Sequence, residues 1–178
     1  MLLRRRLSLI AIGALAVGGM LSGCAPSPAP TPTPTPAFAS DEEAFAAAEE
    51  VYRAYIAALN ARAAGRSIPN PRNYLIGRAL ESDIDGQEYL DGNGLSLQGT
   101  VAVTDLILGH VEHMTTGVQV SATACIDLSE SETLDQDGDI VTPIDRPSVI
   151  AQAVRFVYVD TSFLITEETE AEATSCAS

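Results

Sequence analysis

Two histidines in one short stretch are the first residues that could do chemistry. His110 and His113 are the only histidines in the chain, and Glu112 stands between them. On one helical turn this spacing would present both imidazoles together, but a zinc site takes three or four ligands. The sequence assigns no third ligand. The competing interpretation is a pair of solvent-facing histidines in the connection between two strands.

Three alternating aspartates form a second candidate, for calcium. In an EF-hand loop counted from Asp135, the sixth residue would be glycine and the twelfth a bidentate glutamate. Here Gly138 is fourth and Arg146 is twelfth, so the motif fails. We predict instead the tip of the loop that joins the second and third strands. Weak cation binding by Asp135, Asp137 and Asp139 stays open, and we expect no resident metal and no cofactor.

The N-terminus has the three regions of an export signal. Arg4–Arg6 are basic, and the apolar run Leu7–Leu21 follows. A membrane-spanning helix needs about 20 apolar residues, so this run of 15 favours the apolar region of a signal peptide. Leu21-Ser22-Gly23-Cys24 then resembles the lipobox of bacterial lipoproteins, which implies cleavage before Cys24 and acylation of its thiol. An ordinary signal peptide and a retained transmembrane anchor are the alternatives.

The predicted organisation is therefore a leader, a tether and one domain. Proline occupies every second position from Pro26 to Pro36, which favours extended polyproline II. At about 3.1 Å per residue, this segment could hold a domain up to roughly 45 Å from a bilayer. The predicted ranges are 1–23 for the signal peptide, 24–39 for the lipidated cysteine and Pro/Thr-rich tether, and 40–178 for the domain.

The other two cysteines are predicted to pair with each other. With Cys24 acylated, Cys125 and Cys176 are an even pair in an oxidising compartment. A bridge between them would close a loop of about 50 residues, worth roughly 4 kcal/mol in the chain-entropy model. A redox-active or metal-binding pair is the alternative, although the chain has no CxxC spacing.

Capping residues mark the beginning of two helices. Ser40 and Glu43 form a capping box for a first helix, which Gly65 ends. Tyr52 and Tyr55 fall on its apolar stripe and are predicted to be core residues. A second helix begins after Asn70, and Asp-Gly pairs predict a loop beyond it. The predicted ranges are 41 to about 64, about 71–81, and a loop or broken turn over 82–94.

From Leu95 the apolar period changes from that of a helix to two, which predicts strands. A tight connection joins the last two of them. Two helices followed by antiparallel strands indicate an α+β fold, with the N-terminal helices packed on one face of a curved, cone-like antiparallel sheet. The predicted strands cover about 95–108, 118–128, 149–159 and 163–166.

This element order, with a late strand pair around Arg155-Phe-Val-Tyr158 and Phe163-Leu-Ile165, resembles the nuclear-transport-factor-like cone fold of ketosteroid isomerases and polyketide cyclases. Enzymes of that fold use an Asp or His in the cavity as general base, opposite a Tyr or a protonated acid. The candidates that the resemblance implies are Asp105, Asp127, Tyr158 and Tyr52. The chain also resembles small tethered envelope lipoproteins in which a strand cysteine pairs with a near-terminal one, as Cys125 and Cys176 would.

The charge balance narrows the classes of partner. Removal of the leader leaves seven arginines against 24 acidic residues, a net charge of about −17. Such a surface repels nucleic acid phosphates and anionic headgroups, so membrane contact is expected through the lipid anchor alone. We expect a non-catalytic binding or accessory module for a small apolar ligand or an envelope protein. The alternative is a cone-fold enzyme, of isomerase or cyclase type, acting on a small apolar or envelope-derived molecule.

Overall fold

The computed structural model describes residues 37–115 and 117–176. The predicted leader, Cys24 and most of the predicted tether lie outside these ranges. Within them, no helix is long and apolar enough to cross a membrane. The described elements are α1 (Asp41–Ala63), α2 (Gly77–Asn93), β1 (Ser96–Gly99), β2 (Ala102–Met114), β3 (Gly117–Asp127), β4 (Ser131–Leu134), β5 (Val149–Val159) and β6 (Ser162–Ala171), with 3₁₀ turns at Pro71–Tyr74 and Ala173–Cys176.

Helix α1 matches its prediction at both ends. The Ser40 hydroxyl accepts a hydrogen bond from the Glu43 backbone N–H at 3.2 Å, and the Glu43 carboxylate accepts one from the Ala39 N–H at 2.7 Å. These bonds satisfy backbone donors that have no partner within the helix. Gly65, just beyond the last turn, adopts a left-handed φ of 72°, as a helix-ending glycine commonly does.

The prediction for the second helix was wrong in both position and length. Pro71–Tyr74 forms only a 3₁₀ turn, because the next two residues leave the helix to reach β6. There the Ile76 N–H donates to the Ile165 carbonyl at 2.9 Å. The true helix, α2, occupies most of the predicted loop. Its two internal glycines, Gly86 and Gly92, each cost about 1 kcal/mol relative to alanine, so local propensity disfavours a helix here, and tertiary contacts, including those with β6, accompany it.

The main sheet has four antiparallel strands in the order β2-β3-β5-β6, within the described residues. Bulges in its outer strands bend it, and α1 packs on the concave face. Large side chains fill the space between helix and sheet. The largest fully buried ones are Tyr52, Val120, Phe156, Phe163 and Ile165. The fold is therefore α+β, with helices on a curved antiparallel sheet, as predicted.

The predicted first strand is in fact two strands. After Gly99 the chain leaves a small second sheet, where β1 pairs with β4, and enters β2. Asn60 of α1 holds this break: its Nδ2 donates to the Val101 carbonyl at 2.8 Å, and its Oδ1 accepts from the Val101 N–H at 2.9 Å. An amide that satisfies both backbone groups of Val101 takes them out of any strand ladder. The period-two pattern does not record such a contact.

The later strands agree better with the prediction. Strand β5 has its predicted bounds, and a tight turn with Asp160 at φ 55° joins it to β6. Asp tolerates this left-handed conformation better than most residues. Strand β6 extends to Ala171, five residues beyond its predicted end. The Cys125–Cys176 disulfide is present and ties β3 to the C-terminal 3₁₀ turn.

Candidate functional site

The structure separates Asp127 from Tyr158, two of the four catalytic candidates. Asp127 pairs with Val149 at the start of β5, whereas Tyr158 lies nine positions further along that strand. At about 3.3 Å per residue, roughly 30 Å separates them. A general base and an acid that serve one substrate must both lie within hydrogen-bond reach of it. These two side chains therefore do not share a site.

Both candidate aspartates are on the surface. Asp127 is partly exposed at the end of β3, and its Oδ1 accepts from the Ser129 backbone N–H at 2.8 Å. The hydrogen bonds from Ser129 lower the pKa of Asp127, which makes the carboxylate a weaker base. Asp105 is exposed on β2. Neither residue faces the interior of the fold.

Tyr52 is the candidate whose hydroxyl has a partly buried carboxylate as its partner, and sequence reasoning did not identify that carboxylate. The Tyr52 hydroxyl donates to Glu168 Oε1 at 3.0 Å, and the Tyr55 hydroxyl donates to Glu168 Oε2 at 3.0 Å. Both tyrosines are buried on α1, and Glu168 reaches them from β6. The structure thus joins the predicted core tyrosines through one carboxylate.

A bulge in β6 explains why sequence reasoning missed Glu168. Arg155 pairs with Glu167, but the next residue, Phe156, pairs with Ile165, so Thr166 is an extra residue on β6. A bulge reverses which residues face inward. Beyond it Glu168 faces the core, while Glu167 faces outward and pairs with Arg155 at 2.9 Å. The apolar alternation fails at this point, which is where the predicted strand ended.

Burial governs the electrostatics of this carboxylate. Desolvation raises the pKa of Glu168, and the hydrogen bonds from the two tyrosines act against that rise. Desolvation, followed by the nearby Glu168 charge, raises the pKa of both tyrosines, so their hydroxyls remain donors at neutral pH. A cavity of about 300 Å³, walled mostly by apolar side chains and by Gln152, borders Tyr55 and Glu168.

A larger cavity lies at the C-terminal end of α1. It measures about 370 Å³, opens to solvent, and is lined by the last turns of α1 and α2 and by β1. We call it the apolar cavity. Its polar wall includes Asn60, the residue that holds the strand break. Its apolar lining consists of Leu59, Ala63, Leu90, Leu95, Leu97 and Val101.

An arginine-lined cavity of about 300 Å³ adjoins the apolar cavity, and Arg62, Gln87 and Asp91 line both. We call it the arginine cavity. Arg66 and Arg72 also line it, so three of the seven arginines after residue 23 meet here. Sequence reasoning missed this cluster, because the folding of the chain between α1 and α2 brings the three side chains together.

Asp83 fixes two of these arginines. Arg62 grips it with both terminal nitrogens, at 2.7 and 3.1 Å, and the Arg72 Nε donates to it at 2.9 Å. The Asp83 side chain is only 5% exposed. Burial favours a higher pKa for Asp83, but the hydrogen bonds and charges of the two arginines outweigh it and lower the pKa. The carboxylate therefore stays charged and orients both guanidinium groups.

The two histidines lie at exposed positions of β2, and the three aspartates lie in the loop that follows β4. The placement of His110 and His113 in a connection was wrong, since both lie within β2. His113 Nε2 lies 2.8 Å from Asp41 Oδ1. At the loop tip, Asp135 Oδ1 accepts from the Asp137 and Asp139 N–H groups. Across residues 37–115 and 117–176, no three His, Cys, Asp or Glu side chains are grouped as metal ligands.

No protein-family model matches the sequence, and comparison with curated proteins gives no match. Among solved structures, the intermembrane space region of the chloroplast protein ARC6 is similar to this chain, with 18% sequence identity and a TM-score of 0.44. The similarity covers 69% of this chain and 92% of that one. A likeness of this degree says nothing about the function of the protein.

Proposed function

We propose that this chain is a membrane-anchored extracytoplasmic lipoprotein whose folded domain is a non-catalytic binding or accessory module. The observation that carries the anchoring is the use of the cysteines. The chain has three, and the Cys125–Cys176 bridge takes two. Cys24, which completes the lipobox-like sequence, is the third. A structural disulfide is also typical of an oxidising, extracytoplasmic compartment.

The interior of the domain supports binding over catalysis. The predicted catalytic residues do not converge, and aromatic side chains fill the concave face of the sheet where a cone-fold enzyme would hold substrate. The cavities at the end of α1 instead combine apolar walls with a few convergent polar groups. That combination is typical of sites that bind small molecules.

Acylation is tested by feeding an alkyne-tagged fatty acid to a bacterium that expresses the full chain. We expect the wild-type protein to carry the tag and to lack residues 1–23 by mass. Cys24→Ser should lose the tag and keep the leader, whereas Cys176→Ser should stay tagged. A tag that survives Cys24→Ser, or a wild-type chain that carries none, would refute lipid anchoring.

A cone-fold enzyme of isomerase or cyclase type is the second candidate, and Glu168 is the observation in its favour. This carboxylate, with its raised pKa and two tyrosine donors, borders a cavity of about 300 Å³. If the protein turns over a small apolar molecule there, Glu168→Gln should abolish turnover while Glu170→Gln, on exposed β6 surface, should not. Equal turnover in both variants would exclude Glu168 as the base.

A further inference from the structure

We propose that the apolar cavity and the arginine cavity together bind a small amphiphile that has an apolar body and a carboxylate or phosphate headgroup. This inference rests on the proposed binding function and names the class of ligand. The apolar body occupies the larger cavity, and the headgroup contacts Arg66 and Arg72. Three observations support it: the shared lining of the cavities, the local charge and the way in which the arginines are held.

The two cavities form neighbouring halves of one site. Arg62, Gln87 and Asp91 line both, so a ligand that fills the apolar half ends beside the guanidinium groups. Each half measures 300 Å³ or more, and pockets for small molecules begin at about this size. The leucines of the larger cavity suit a chain or ring that carries no charge.

The arginine cavity is rich in positive charge, whereas the domain as a whole is strongly acidic. The chain after residue 23 has a net charge of about −17, yet three guanidinium groups line this cavity with one carboxylate, Asp91, while Asp83 pairs with two of the three. The overall field repels anions, so an anion enters this site only through local contacts. Guanidinium groups match carboxylate and phosphate oxygens in geometry as well as in charge.

The three arginines differ in how many guanidinium nitrogens their ion pairs with Asp83 leave for a ligand. Arg62 donates hydrogen bonds to Asp83 from both of its terminal nitrogens, whereas Arg72 donates to Asp83 from Nε. Within the described residues, Arg72 is therefore held in place with its two terminal nitrogens unused by that ion pair. Arg66 takes part in none of the ion pairs of the described residues. Arg66 and Arg72 are thus the pair that a headgroup would contact.

The proposal is tested on the full chain in membranes by the rate at which 4-hydroxyphenylglyoxal modifies each arginine, read by mass spectrometry. The probes are octanoate, octyl phosphate and the uncharged octanol. At a probe concentration about ten times its dissociation constant, we expect octanoate or octyl phosphate to slow modification of Arg66 and Arg72 about tenfold. Arg78, which is 77% exposed on α2 and does not line either cavity, is the internal control.

Each outcome decides the question. Protection by only one anion identifies the headgroup as carboxylate or phosphate and supports the site. Equal protection by octanol, equal protection of Arg78, or no protection by either anion overturns it. None of these results affects the acylation of Cys24, so failure of this inference is distinguishable from failure of the lipoprotein assignment.

Two variant pairs separate ligand contact from damage to the fold. Arg66→Gln should remove the protection of Arg72, whereas Arg78→Gln should leave it intact. Leu97→Gln, in the apolar cavity, should raise the probe concentration needed for half-maximal protection about tenfold. Leu108→Gln changes a similarly exposed leucine on β2, outside the cavities, and should have no effect. If both leucine variants behave alike, the larger cavity is not the site of the apolar body.

Discussion

At the scale of single residues, one carboxylate holds two helical tyrosines to the sheet. Glu168 uses each of its oxygens for one hydroxyl, so burial leaves none of these three groups without a partner. A buried polar group costs far more when it is unpaired than it contributes when paired. The same contacts account for Tyr52 as a core residue: its ring packs edge-on against Phe156 at 6.0 Å, and its hydroxyl is satisfied.

The raised pKa of Glu168 predicts a pH dependence of stability. The folded chain keeps the Glu168 proton to higher pH than the unfolded chain, whose value is near 4.5. The free energy of unfolding therefore falls as pH rises from 4.5 through the folded pKa. Glu168→Gln, which cannot ionise, should lack this fall. We therefore expect the free energy of unfolding of wild type, minus that of the variant, to decrease between pH 4.5 and pH 8.

Chemical denaturation followed by tyrosine fluorescence measures this difference, since the chain has no tryptophan. Glu170→Gln is the matched control, because Glu170 is exposed on the same strand. Its difference from wild type should stay flat across the same pH range. A flat difference for Glu168→Gln as well would show that burial does not perturb this carboxylate.

At the scale of elements, the sequence predicted correctly those helix and strand bounds that depend on neighbouring residues. The capping box at Ser40 placed the start of α1, and the alternation around Phe156 placed β5. Errors arose where a distant partner overrides the local pattern. Ile165 draws Ile76 out of the second helix, and Asn60 breaks the predicted first strand at Val101. No window of neighbouring residues contains these contacts.

The same reason limits what sequence could predict of the site. The cysteine pair followed from composition and compartment, and the structure confirms it. Glu168 depends on a bulge at Thr166, and the arginine cluster depends on Asp83, which lies 21 residues from Arg62 in sequence. Both arise from tertiary packing. A pattern of residue types therefore found the covalent bond and missed the polar contacts.

The hydrogen bonds of Asn60 give a prediction at this scale. Asn60→Ala removes both partners of the Val101 backbone, whose N–H and carbonyl are partly buried. We expect the free energy of unfolding to fall by about 1–3 kcal/mol. Hydrogen exchange at the Val101 amide should also accelerate more than exchange at the amides of β2. Both measurements are made on the full chain.

Asn93→Ala is the control for this change. Asn93 donates to the Tyr89 carbonyl, and both residues are exposed on α2. Loss of this hydrogen bond should cost about 0.5 kcal/mol or less. If the two variants are equally stable, Asn60 does not fix the junction between β1 and β2. The apolar cavity would then have a less rigid wall than its geometry indicates.

At the scale of the whole molecule, the ends of the described chain are both attached to the main sheet. Phe38, ahead of α1, stacks on Phe163 with ring centroids 5.4 Å apart and lies edge-on to Tyr158. The C-terminal 3₁₀ turn is held to β3 by the disulfide. One attachment is noncovalent and lies at the β5–β6 turn, and the other is covalent. Both ends of the described range, near residues 37 and 176, are therefore packed or bonded to the main sheet.

The disulfide gives the prediction that belongs to this scale. The bridge spans 51 residues, and removing it frees the unfolded chain from that constraint. The chain-entropy model puts the loss at about 4 kcal/mol for a loop of this size. That is a large fraction of the 5–15 kcal/mol that is typical of whole domains. Cys125→Ala/Cys176→Ala should therefore unfold at a much lower denaturant concentration than the oxidised wild type.

Reduction of the wild-type chain should reproduce the behaviour of the double variant, because both lack the same covalent constraint. The slope of unfolding free energy against denaturant should increase in both, since an uncrosslinked chain exposes more surface when it unfolds. Ser175→Ala, next to the bridge, controls for disturbance of the 3₁₀ turn and should change little. A double variant within about 1 kcal/mol of wild type would mean that packing of β6 against β5 already fixes the C-terminus. The bridge would then add little beyond what 37–171 achieves by itself.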